Sequence, residues 1–141
     1  MPTPPLSDPL GALNQVLSEL IDLVADVKQA HRKVPSTDVL HSELDQLFDD
    51  LRAWLGLLMD QDAGHGVSPL AEVTTAAGRS PVNLWSGNPD DEEVRAVLAE
   101  HLGRLEQHAA EARDALAGDP SGPVLADIAA GIELHVQRLR P

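Results

Sequence analysis

The sequence predicts an all-α protein, a bundle of four long helices with one long connection in its middle. Three observations carry that prediction. The 141-residue chain is 43% apolar but only 2% aromatic, so its core must be built from Leu, Val, Ile and Ala rather than the aromatic and β-branched mixture that sheets favour. Apolar residues recur at alternating spacings of four and three through four separate stretches, the period of a helix–helix seam. Breakers fall between those stretches: Pro35, "AGHG" at 63–66 and "GDPSGP" at 118–123.

Residues 1–9 hold four prolines and read as a flexible tail; residues 10–141 are enough for one domain with a real core. A first helix is expected from about Leu10 to Lys33, with Leu13, Leu17, Leu20, Val24, Val27 and His31 in phase, ended by Pro35. Ser36 or Thr37 can cap a second helix from about Asp38 to Asp62, whose seam is His41, Leu44, Phe48, Leu51, Leu55 and Leu58. A crossover of nearly thirty residues follows. Within it Ser68-Pro69 opens a short helix over "PLAEVTTAA", and "SPVNLWSGNP" is loop. Asp90 or Asp91 caps a third long helix up to Ala117, and a last helix spans about Val124 to Leu139 with Ile128, Ile132, His135 and Leu139 in phase. Two long helices, a long crossover and two more long helices is the ferritin-like arrangement of a four-helix bundle with a short extra helix, not the up-down-up-down one.

Charge narrows the function. Ten Lys and Arg face 23 Asp and Glu, a net charge of −13. Binding a nucleic-acid duplex needs clustered cations that release counterions, and the one dense cluster is "HRK" at 31–33. Direct nucleic-acid binding is therefore not expected. An acidic surface suits attraction of metal cations or simply solubility. The chain has no cysteine, which excludes disulfides and thiolate metal sites. With neither a signal-like start nor an apolar run of membrane-span length, a cytoplasmic protein with no membrane association is expected.

The stretch with chemistry in it is "VLHSELDQLFDD" at 39–50. His41 and Asp45 stand one helical turn apart beside the buried stripe. From these residues alone the pair reads either as metal ligands or as an ordinary solvated helix edge. His101, His108 and His135 lie in phase with their seams and read as core or interface histidines satisfied by hydrogen bonds, and Trp54 and Trp85 as packing or interface residues; His65 reads as exposed. No Glu-x-x-His pair of the kind that in-bundle di-iron proteins use occurs in the chain.

Taken in order, several segments resemble the Dps mini-ferritins (DNA-binding proteins from starved cells) over nearly the whole chain. "LNQVL" at 13–17 resembles the opening of that family's first helix. His31 followed by "LHSELDQLFDDL" resembles its H…H-x-x-x-D pattern, and "GHGVSPLAEV" the entry to its crossover helix. "VLAEHLGRLEQHAAEARDAL" and "GIELHVQRL" resemble its last two helices. The resemblance implies a hollow homo-oligomer, a dodecamer, that oxidises and stores iron under oxidative stress. Its ferroxidase sites would lie between subunits, with zinc able to compete for them. Carried over by position, His31, His41 and Asp45 would be the catalytic metal ligands of one chain, and Asp60 would come from its partner.

Asp45 and Asp60 are fifteen residues apart, about 22 Å along a helix, so one ion cannot join them within one chain. An antiparallel pairing of this helix with its copy would. The sequence departs from the family at three places. Arg32 stands where the family has tryptophan, the spacing from His31 to His41 is two residues short, and Gly56 replaces an acid that Asp49 could substitute for. By position, Asp119 and Asp127 would line acidic pores, though each also suits a helix N-terminal acid. The tail lacks the lysines through which the family binds DNA. Two further readings stay open: a ferritin-like cage with a structural role, and an unrelated metal-dependent bundle of the DinB-like kind with a three-histidine site.

Overall fold

The computed structural model describes residues 9–64 and 89–140, and within them the chain is all helical. Four helices form: α1 (Pro9–Lys33), α2 (Val39–Gly64), α3 (Asp91–Ala115) and α4 (Ser121–Leu139). The expected tail residues before Pro9, the short crossover helix, His65 and Trp85 lie outside the described residues.

Local chemistry explains the helix ends. The second helix starts at Val39, so Asp38 rather than Ser36 or Thr37 takes the position before it. The chain first closes a turn through Asp38 N to the Pro35 carbonyl at 3.0 Å, and that turn uses up Ser36 and Thr37. Helix α3 begins as its acids suggest: the Asp90 carboxylate accepts the Glu93 N–H at 2.8 Å, and Asp91, Glu92 and Glu93 lie in the first turn, where the positive end of the helix favours them. It ends earlier than expected, at Ala115, because Gly118 takes φ +87°, a conformation that only glycine adopts at little cost. Helix α4 begins three residues earlier than expected. Asp119 Oδ1 accepts the Ser121 N–H at 2.9 Å, and Pro123 sits in the first turn, where its missing N–H costs nothing.

Cross-links fix the directions of the helices. At one end Arg95 of α3 bonds Glu43 near the start of α2 at 2.8 Å and the Arg138 carbonyl near the end of α4 at 3.2 Å. At the other end Ser121 of α4 donates to Gln61 of α2 at 2.9 Å. Between them His135 Nε2 bonds Asp50 at 2.7 Å. Helix α2 therefore runs antiparallel to α4 and parallel to α3. Each helix pair joined by a short turn, α1 with α2 and α3 with α4, packs as a hairpin, and the two hairpins face each other through α1 on α3 and α2 on α4. In chain order the helices run up, down, down, up.

The core is aliphatic, as the composition requires. Leu13, Leu17 and Leu20 of α1, Leu40, Leu44, Leu47, Leu51 and Leu58 of α2, Leu98, Leu102 and Leu105 of α3, and Leu125 of α4 are fully buried, each contributing about 1.5–3 kcal/mol of burial. Trp54 is a packing residue, as expected. Its ring lies over Gly131 and meets the His135 ring edge-on at 6.0 Å. His108 and His135 are hydrogen-bonded histidines: His108 Nδ1 lies 2.7 Å from Glu19. His101 is half-buried, and burial lowers its pKa.

Two predictions follow from packing and charge. A Cβ on Gly131 would fall 2.5 Å from Trp54 Cζ2, so Gly131→Ala is expected to destabilise the protein by about 1–3 kcal/mol, the usual cost of overpacking, despite alanine's better helix propensity. Urea denaturation measures this, and an unchanged midpoint would contradict it.

Burial, with Asp22 one turn away, raises the Asp26 carboxyl from 3.8 to about 6. The folded state thus holds this proton more tightly than the unfolded chain, and stability falls as pH rises from about 4 to 6. Asp26→Asn is expected to gain stability at pH 7 relative to the parent chain, with the difference vanishing near pH 4. Denaturation midpoints across that range test it.

Candidate metal centre

The centre is built by the turn between α1 and α2. Val34 continues the last turn of α1, its N–H bonding the Ala30 carbonyl at 3.1 Å, and its side chain is buried. Pro35 ends the helix because it would not sustain another i→i−4 bond. The turn closes at Asp38, and His41 N bonds the Asp38 carbonyl at 3.1 Å as α2 begins. With so short a connection, the last turn of α1 must lie beside the first two turns of α2. Placing His31 at the end of α1 therefore brings it against His41 and Asp45.

The three side chains converge. A ligand atom from each of His31, His41 and Asp45 lies within 4.8 Å of the other two. Among the described residues no other group of three His, Asp or Glu side chains does so. The two imidazoles overlap with centroids 3.8 Å apart and planes tilted by 35°. His31 Nε2 lies 2.6 Å from Asp45 Oδ1, yet the buried Nε2 makes no aligned hydrogen bond. When the imidazole is protonated this contact is an ion pair; when His31 Nε2 is deprotonated, both atoms can instead serve one cation.

His41 is held from behind. Its Nδ1 lies 3.0 Å from the Val34 carbonyl oxygen. The His31 and Asp45 side chains are partly open, Asp45 at 60% relative exposure, so the group faces solvent rather than the aliphatic core. Its position also suits a cation: His31 is in the last turn of α1, where unpaired carbonyls carry partial negative charge. Two imidazole nitrogens and one carboxylate oxygen form a donor set that suits ferrous iron, zinc and other borderline divalent ions better than calcium or magnesium.

Other residues named from the sequence lie elsewhere. Asp60 is exposed on α2 and is not part of this group. Gly56 is exposed, and a Cβ there would meet nothing within 4 Å, so nothing inside the chain demands glycine. Asp49 is exposed. Asp127 is exposed, and Asp119 is engaged with the start of α4. Sequence reasoning missed two participants. Asp50, not singled out in the sequence, pairs with buried His135, and the Val34 carbonyl supports His41. The first needed the crossing of α2 on α4, and the second involves a backbone group that leaves no trace in residue identity. Family models, curated proteins and solved structures contain no match to this chain.

Proposed function

We propose that this protein binds a divalent transition-metal ion at His31, His41 and Asp45, and that it works as a Dps-like mini-ferritin whose substrate is ferrous iron. The observation that carries the metal reading is the convergence of these three side chains within 4.8 Å of one another. Iron as the ion, and a cage as the assembly, rest on the sequence resemblance and on the up, down, down, up order of the helices, which is that of bundles with one long crossover.

In this reading a two-fold axis packs the exposed face of α2 on its copy, and Asp60 of that copy completes each site. Three protein donors leave coordination positions open, as oxidation of a bound ion requires. His31, His41 and Asp45 would capture and orient the ion. Asp60 would add a second negative charge that favours the ferric product. With only one acid supplied across the interface and Gly56 in place of another, oxidation is slower than at a site with both.

Metal titration by calorimetry, run beside light scattering, tests the proposal. One ion per chain is expected. A free concentration 100 times the dissociation constant should stabilise the fold by about 2.7 kcal/mol. His31→Ala should weaken binding by more than the roughly 10–100-fold that outer-shell changes cost. A monomer that binds metal would reject the cage and keep the centre; equal binding by the parent and His31→Ala would reject the centre.

Gly56 gives a sharper test of the oxidation step. Because a Cβ at this position meets nothing within 4 Å, Gly56→Glu should fold, with helix propensity improved by a few tenths of a kcal/mol or more. It is expected to speed oxygen consumption on addition of ferrous iron while the assembly stays intact. A variant that stays assembled and oxidises iron no faster would show that the missing carboxylate does not limit the reaction.

A further inference from the structure

The turn between α1 and α2 does more than join two helices. We infer that the Val34 backbone carbonyl is a positioning group of the metal centre: it holds His41 in the Nδ1–H tautomer and so presents Nε2 as a ready lone pair before any metal arrives. This rests on the metal reading above and deepens it.

The argument starts from what each atom can do. A carbonyl oxygen only accepts hydrogen bonds. At 3.0 Å from it, His41 Nδ1 must be the donor, so in the neutral ring Nε2 carries the free lone pair. A neutral imidazole binds a metal through the nitrogen without the proton, and the bond made by the other nitrogen decides which that is. Ligating histidines commonly donate their second N–H to a carbonyl or carboxylate for this reason.

The acceptor is itself fixed. The Val34 N–H is bonded to Ala30, its side chain is buried, and Pro35 restricts the backbone on its far side. The carbonyl therefore cannot swing away without unpicking the end of α1. His31 is held separately, by its ring contact with His41 at 3.8 Å and by Asp45 Oδ1 at 2.6 Å from its Nε2. One backbone oxygen thus sets the His41 imidazole directly, and the His31 ring rests against it. The length of the turn acts as a determinant of metal affinity, although no residue in the turn itself ligates.

The first readout needs no metal. Long-range proton–nitrogen NMR on the metal-free protein at about pH 8, where free imidazole is neutral, reports the tautomer of His41, with the signal assigned through His41→Gln. The expected result is the Nδ1–H form; the Nε2–H form overturns the proposal.

The second readout uses cobalt(II), whose absorption reports binding, on two variants. One inserts four glycines between Ser36 and Thr37, a turn longer than either this chain's or the family's, displacing the carbonyl while keeping every ligand. The other is His41→Nδ1-methylhistidine, which blocks the donor without changing the length or sequence of the turn. Each is expected to bind cobalt(II) roughly 10–100-fold more weakly than the parent, the usual cost of losing outer-shell support, with helical circular dichroism unchanged. The methylated variant decides the matter if the insertion fails to fold. Parent-like affinity in the methylated variant overturns the proposal. A parent chain that shows the Nδ1–H tautomer but binds no cobalt(II) instead overturns the metal centre itself.

Discussion

Everything at the candidate centre depends on one short turn. Val34 to Asp38 is the whole connection between two helices of about 25 residues each, so it fixes their register as well as their proximity. Register decides which side chains of α1 meet which of α2. Shifting α1 by one residue would turn His31 by about 100°, away from His41 and Asp45, and would move leucines out of the core. The hydrophobic stripe and the metal ligands are therefore constrained together, because both are read off the same helix faces.

Elsewhere the bundle relies on a few polar cross-links set in an aliphatic core. Leucine cores pack well but specify register weakly, since one leucine substitutes for another when a helix slides. Glu19 with His108, Asp50 with His135, Gln61 with Ser121 and Arg95 with Glu43 each tolerate only one alignment. The Glu19 carboxyl shows that such contacts are not simply favourable. Burial raises its pKa more than the neighbouring His108 lowers it. Removing one partner of such a pair would leave the other poorly solvated, which makes these positions sensitive even where the pair adds little net stability.

The architecture was legible in the sequence because apolar spacing carries it directly. All four helices fall where the seams of Leu, Val and Ile place them; His31 joined His41 and Asp45 as a group only through the family resemblance, which spacing alone did not supply. Errors sit at the ends, where local hydrogen bonding competes with the pattern: Asp38 precedes α2 instead of Ser36 or Thr37, and Asp119 starts α4 ahead of Val124. The partners of the histidines were harder. His135 was rightly read as satisfied, but the identity of Asp50 depends on how α2 crosses α4. That crossing is a three-dimensional fact which the period of neither helix contains. The face of α2 that carries Gly56 and Asp60 is exposed, so the chain by itself neither needs nor forbids a partner there.

Trp54 adds a property of a different kind. It is one of two indoles in the chain, and it sits where α2 meets α4, its ring over Gly131 and edge-on to His135. Any parting of the two helices would move that ring from an apolar notch into water, shifting its fluorescence to longer wavelength and changing its contact with an imidazole quencher. The protein thus carries a built-in optical probe of the junction between its two hairpins, at the opposite face of α2 from the exposed glycine and without an added label.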